Sequence, residues 1–133
     1  MNNIQYQVNT PLNTDDVIRV FNASGITRPT HDPARIETMF ANANLIISAW
    51  HEGVLVGIAR GLTDHRYCCY LSDLAVDKAY QRRGIGDALL MQVRQALGPE
   101  VSLILLSAPT AMGYYPKVGF TAADNAFIIK REQ

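Results

Sequence analysis

Gln81-Arg82-Arg83-Gly84-Ile85-Gly86 is the stretch of this chain best suited to holding an anion. Arg82 and Arg83 bring fixed positive charge that matches phosphate oxygens. Gly84 and Gly86 lack a Cβ, so a ligand can approach the backbone closely and unusual φ values are accessible. From Ile85 the apolar residues fall at Ile85, Leu89, Leu90, Val93 and Leu97, which is helical spacing. The first N–H groups of a helix have no partner inside it, and the dipole makes that end electropositive. A basic glycine loop that opens a helix therefore suits a pyrophosphate. The other reading is a connection whose glycines only make the turn. Two phosphate motifs do not fit. No Gly-Lys-Ser/Thr occurs here, and Leu89 stands where the dinucleotide fingerprint has Gly or Ala. His31, His51 and His65 lack metal-ligand spacing, and His51 and His65 read as solvated turn residues. Cys68 and Cys69 are adjacent in an apolar stretch, where they would point to opposite faces; they read as reduced sheet residues.

The elements around the loop follow from pattern. Leu71 to Val76 is a strand within a longer one from Tyr67, and Asp77 to Tyr80 is a turn. Gly98-Pro99 stops the helix that starts at Ile85. Upstream, Ile4 to Val8 reads as a strand. A helix follows from the N-cap Thr14 to about Asn22, and a second, capped by Asp32 with Pro33 at N1, ends near Ala41. Leu45 to Trp50 and Val54 to Leu62 form a hairpin across His51-Glu52-Gly53. Downstream, the apolar run Val101 to Ser107 predicts a strand buried on both faces, Thr110 to Lys117 a short helix, and Phe127 to Lys130 a last strand. The order β-α-α-β-β-β-α-β-α-β is mixed α/β.

With the loop and its strand in view, a family resemblance emerges. Gln81 to Gly86 matches the Gln/Arg-x-x-Gly-x-Gly/Ala signature of the GNAT superfamily of N-acetyltransferases, after Asp73-Leu74-Ala75-Val76, which is similar to the family's cofactor strand. Further on, Tyr114-Tyr115-Pro116-Lys117-Val118-Gly119-Phe120 is similar to its Tyr-x-x-x-Gly-Phe element. The likeness covers roughly Leu45 to Arg131 and is to small single-domain members; the wording is also similar to small bacterial members and to plant plastid arylalkylamine and lysine acetyltransferases. It implies a mostly antiparallel central sheet flanked by helices, with the fourth and fifth strands splayed for acetyl-CoA. Leu74, Ala75 and Val76 would offer backbone groups to the pantetheine arm. Gln81, Arg82, Arg83, Gly84, Ile85, Gly86 and Asp87 would hold the pyrophosphate. Asp87 departs from the family's small residue and is expected to turn outward in the first helical turn.

The resemblance also assigns chemistry. Tyr115 matches the tyrosine near the cofactor sulfur; a phenol, with a reference pKa near ~10, can protonate a departing thiolate. Tyr114 reads as packing on the sheet. Asp73 is the nearest carboxylate for a general base, expected on the face of Cys69, Leu71 and Ala75, or else tied to sheet or loop groups. His31, in a loop similar to the family's acceptor side, and a water chain are the other routes for the proton. Tyr6, Phe21, Phe40, Trp50, Tyr67 and Tyr114 could line an acceptor wall or fill the core.

Composition sets the outer bounds. A length of 133 residues suits one domain over 1–133, and 48% hydrophobic residues is ordinary for a globular chain. Twelve basic residues balance twelve acidic ones, so nothing favours nucleic acid or membrane as partner. No apolar run reaches membrane-spanning length, and Met1-Asn2-Asn3 shows no signal-peptide pattern, so a cytoplasmic location is expected. The expected activity is transfer of acetyl from acetyl-CoA to a primary amine of a small molecule by direct attack in a ternary complex, without a metal. A protein-lysine or N-terminal acetyltransferase, a non-catalytic CoA-binding sensor and another nucleotide-phosphate binder are the alternatives. Small members of the family often form homodimers, which leaves a dimer open.

Overall fold

The computed structural model describes residues 3–133; Met1 and Asn2, part of the N-terminal reading above, lie outside the described residues. Five strands form one sheet in the order β1-β2-β3-β4-β5: Ile4–Val8, Leu45–His51, Val54–Thr63, Cys68–Val76 and Ser102–Ile104. The first four are antiparallel neighbours, and β5 runs parallel to β4. Helices α1 (Thr14–Ser24) and α2 (Pro33–Ala41) cover one face, where Val17, Val20, Phe21 and Ile36 pack on Leu55, Ile58 and Ala75. Helix α3 (Ile85–Leu97) covers the other, with Leu89, Leu90 and Val93 against Ile47, Val56, Ala59 and Leu71. The α/β class and mixed, mostly antiparallel sheet agree with the sequence reading.

β3 is central and buried along most of its length, because both of its faces carry helices. The β2–β3 turn places Glu52 and Gly53 at φ 49° and 79°, the two left-handed residues that a tight hairpin loop needs. Two bulges then re-aim side chains. Ala49 pairs with Gly57 but Trp50 with Leu55, so Val56 is the extra residue on β3. Gly57 thereby faces α3 so closely that a Cβ would lie 3.2 Å from Leu89. Arg60 pairs with Asp73 but Gly61 with Leu71, so Ser72 is the extra residue on β4.

Several expectations need correction. Asn13, not Thr14, caps α1; its side chain accepts from the N–H groups of Asp15 and Asp16. The Val101–Ser107 strand shrinks to Ser102–Ile104 at the sheet edge, with Ile104 and Leu106 about half exposed. An edge strand has one packed face, and Val101, Leu103 and Leu105 supply it. The helix over Thr110–Lys117 is two separate 3-10 turns, Pro109–Ala111 and Tyr115–Val118, as expected for a segment holding Gly113 and Pro116. The last strand, Phe127–Lys130, does not form. A short apolar run makes a strand only where a neighbouring edge pairs its backbone, and Phe127 and Ile129 are fully solvent-exposed.

Candidate functional site

Beyond Val76 the chain turns over the end of the sheet and starts α3. The Asp77 side chain accepts from the N–H of Ala79 and fixes the turn Lys78–Tyr80. Gln81 then fastens the loop by donating its amide to the carbonyl oxygens of Val76 (2.8 Å) and Ser24 (3.4 Å). Arg82 (φ 66°) and Gly84 (φ 82°) are both left-handed, the kind of loop whose successive N–H groups converge on an anion. At Gly84 a left-handed residue is free of steric cost; at Arg82 it costs roughly 1–2 kcal/mol, a strain typical of functional loops. Gly84 is the N-cap of α3 and no side chain caps the helix there, so its first N–H groups face outward.

The second half of the site is an open strand edge. β5 pairs with β4 only over Cys68, Cys69 and Tyr70. From Leu71 to Val76 the side of β4 away from β3 has no strand beside it among the described residues. That edge can take an extended chain bearing amides. The uncapped helix start and this edge meet in one cleft of about 2000 Å³, lined by Leu74, Ala75, Val76, Gln81, Arg82, Gly84, Ile85, Gly86 and Asp87. Arg83, the remaining expected cofactor residue, lies outside the lining and stacks its guanidinium 5.6 Å from the Tyr80 ring centre.

Asp73 is the hub of a buried ion-pair cluster. The Ser72 bulge flips the alternation, so Asp73 faces the α1–α2 side with Ala75, while Cys69 and Leu71 pack toward α3. The expected face shared by all four residues is therefore split. Its carboxylate accepts from Nε of Arg28 at 2.6 Å and from Nε of Arg60. Arg28 also donates to the carbonyl of Ser72 at 2.7 Å, and Arg60 to the Ser72 hydroxyl at 2.9 Å. Arg60 stacks over Phe40, 5.4 Å to the ring centre. The bulge, the α1–α2 loop and α2 are thus tied to one carboxylate. A base role would require Asp73 to give up one of these bonds. The sequence signal was present: Arg60 interrupts the apolar run Val54 to Leu62, and a buried guanidinium demands a buried acceptor.

Tyr115 lines the same cleft, half-buried against Tyr114 and Phe120 at ring distances of 5.1 and 5.4 Å. Burial pushes its phenol above the ordinary tyrosine value, and the positive charge of Arg28 pulls it partly back. The hydroxyl therefore stays protonated at neutral pH. Tyr114 does more than pack. Its hydroxyl donates to the Asp87 carboxylate at 2.6 Å, and burial together with that carboxylate pushes its phenol far up. Asp87 does sit exposed in the first turn of α3, but tied to Tyr114 rather than free in solvent. This bond joins the segment after β5 to the first turn of α3.

Other candidates fall elsewhere. Phe21, Phe40 and Trp50 belong to the core under α1 and α2, and Tyr67 is exposed away from the cleft. His31 and His65 are exposed. His51, expected to be solvated, ends β2 with Nδ1 2.7 Å from the Tyr80 hydroxyl. Cys68 is exposed, Cys69 buried, and both are free thiols. Among the described residues no three His, Cys, Asp or Glu side chains converge, and no helix is long and apolar enough to cross a membrane.

Comparisons with known proteins bear on the family and the fold. The model of a family described as an acetyltransferase (GNAT) domain matches residues 15–130. GCN5-related N-acetyltransferase 1, chloroplastic, from Arabidopsis thaliana is 28% identical over 115 residues, covering 84% of this chain and 57% of that protein. The chain thus spans little more than half the length of that curated relative. A GNAT family acetyltransferase of Streptococcus pneumoniae superposes with a TM-score of 0.75 at 24% identity, covering 97% of this chain and 99% of the other. An aminoglycoside N-acetyltransferase solved in complex with CoA superposes with a TM-score of 0.73 at 14% identity, covering 98% and 95%. At these identities the structural likeness speaks for the fold.

Proposed function

This chain belongs to the GNAT acetyltransferase family, and from that premise we propose that it moves the acetyl group of acetyl-CoA to a primary amine of a small molecule, by direct attack in a ternary complex. One observation carries the reading: the uncapped start of α3, the open edge of β4 and Tyr115 all line a single cleft. The donor chemistry fits the cosubstrate. Outward N–H groups and Arg82 suit a pyrophosphate, and an unpaired strand edge suits the two amides of a pantetheine arm. A structural neighbour solved with CoA supports the same assignment.

Bound acetyl-CoA supplies an acetyl thioester already activated toward an amine. The chain's own groups do the rest. Gln81 to Asp87 would hold the pyrophosphate, and Leu74, Ala75 and Val76 would orient the arm through their backbone. Backbone N–H groups near Leu74 would polarise the thioester carbonyl in the manner of an oxyanion hole. Tyr115 holds a proton at Oη for the departing thiolate, and its burial keeps that proton in place. Asp73 positions Arg28 and the Ser72 bulge, and the acceptor's proton leaves through water.

The test is thiol release from acetyl-CoA with an amine panel, with mass identification of the product. A thermal-shift series with acetyl-CoA, NAD and ATP accompanies it, since a ligand that binds the folded state raises the midpoint. Stabilisation by NAD or ATP alone would sink the reading. An acetylated protein in an intact-mass survey, with no small-molecule product, would move the acceptor to protein lysine or an N-terminus.

A further inference from the structure

We propose that the acceptor amine carries an anionic group, a carboxylate near the amine, and that the arginine cluster at the Ser72 end of the cleft selects it. This rests on the acetyl-transfer reading above and adds the class of acceptor. Strand residues rise about 3.3 Å each, so Val76 to Ser72 spans roughly 13 Å along the open edge. An arm that starts at the α3 loop and follows β4 therefore ends near the bulge, where Arg28, Asp73 and Tyr115 gather. The cleft beyond that point is the acceptor's.

Its charge is one-sided. Arg28, Arg35 and Arg60 line the cleft, and Asp73, paired with Arg28 and Arg60, offsets one of the three charges. The tail adds Lys130 and Arg131 against Glu132. Three hydrogen bonds engage three of the five N–H donors on Arg28, and its side chain is 24% exposed. Arg35 is exposed on α2, and its guanidinium donates to the Gln133 backbone oxygen at 3.2 Å. A guanidinium fork with spare donors recognises a carboxylate in register. A polycation entering here would be repelled. The same field solves a chemical problem. Like charge disfavours an ammonium, so a bound amine is shifted toward the neutral form that can attack, with no dedicated base beside it.

The experiment measures kcat/KM at saturating acetyl-CoA for L-amino acids paired with their carboxamides, and for spermidine and kanamycin. A charge-assisted contact predicts a preference of about tenfold or more for the carboxylate member, carried in KM. Arg35→Gln, an exposed change, should shrink that ratio about threefold or more without lowering the thermal midpoint. Equal or better use of carboxamides or polycations overturns this inference and leaves acetyl transfer standing. No product from any amine, with acetyl-CoA still raising the midpoint, overturns it together with the small-molecule reading.

Discussion

Asp73→Asn separates a structural hub from a proton acceptor. The Asp73 side chain is wholly buried, and its partners Arg28 and Arg60 are 24% and 8% exposed. Asn is nearly the same size but neutral, so Arg60 keeps its charge in the core with no counterion. Removing one partner of a buried pair costs about 3–5 kcal/mol. Arg28 can turn toward solvent, which places the expected loss at the lower end, about 3 kcal/mol. In a chain of this size each kcal/mol lowers Tm by about 3–5 °C, so the melt should fall by roughly 10–15 °C. With a total stability of about 5–15 kcal/mol the variant stays folded at room temperature, and its rates can be measured. Thermal melts with and without acetyl-CoA, beside initial rates, make the assay. The double variant Asp73→Leu/Arg60→Met replaces the buried ions by apolar groups and should recover at least half of the lost stability, roughly 1.5 kcal/mol. A melt within about 1 °C of the parent, with turnover down by a factor of about 10³, would refute the hub and make Asp73 the base.

The other expectations are more local. Tyr115→Phe should lower kcat about 10²-fold while leaving the acetyl-CoA dissociation constant unchanged, measured by titration beside steady-state rates. Arg82→Gly removes a left-handed non-glycine residue and a phosphate-facing charge together; the midpoint should hold while acetyl-CoA affinity drops about three- to tenfold. Gly57→Ala puts a Cβ 3.2 Å from Leu89 Cδ1 and 3.3 Å from Ile85 Cγ2, which should cost about 1–3 kcal/mol in a denaturant titration. The phenols of Tyr6, Tyr114 and Tyr115 all sit above the ordinary value in the folded chain. Their contribution is intact below about pH 10. Above that the unfolded chain releases protons first, so stability falls as pH rises. Tyr114→Phe should flatten that fall in midpoints taken from about pH 8 to 11.

The loop after Gln81 and the start of α3 were legible because their signals are local. Loop, glycines and helix start occupy one short segment, and the helical spacing after Ile85 fixed where the N–H groups point. The strands and helices up to α3 were legible for the same reason, since each carries its own period. What the sequence hid depends on partners far along the chain. Arg28 and Asp73 are separated by 45 positions, and Tyr114 and Asp87 by 27. The Ser72 bulge alters which residues share a face, and a one-residue insertion leaves no mark on composition or period. Phe127 to Lys130 failed in the opposite sense, with the pattern of a strand but no edge to pair with. The net charge of zero is the clearest case of averaging. It excluded nothing at the cleft, because Arg28, Arg35 and Arg60 all line it. The anionic acceptor proposed above answers to that local charge rather than to the balance of the whole chain.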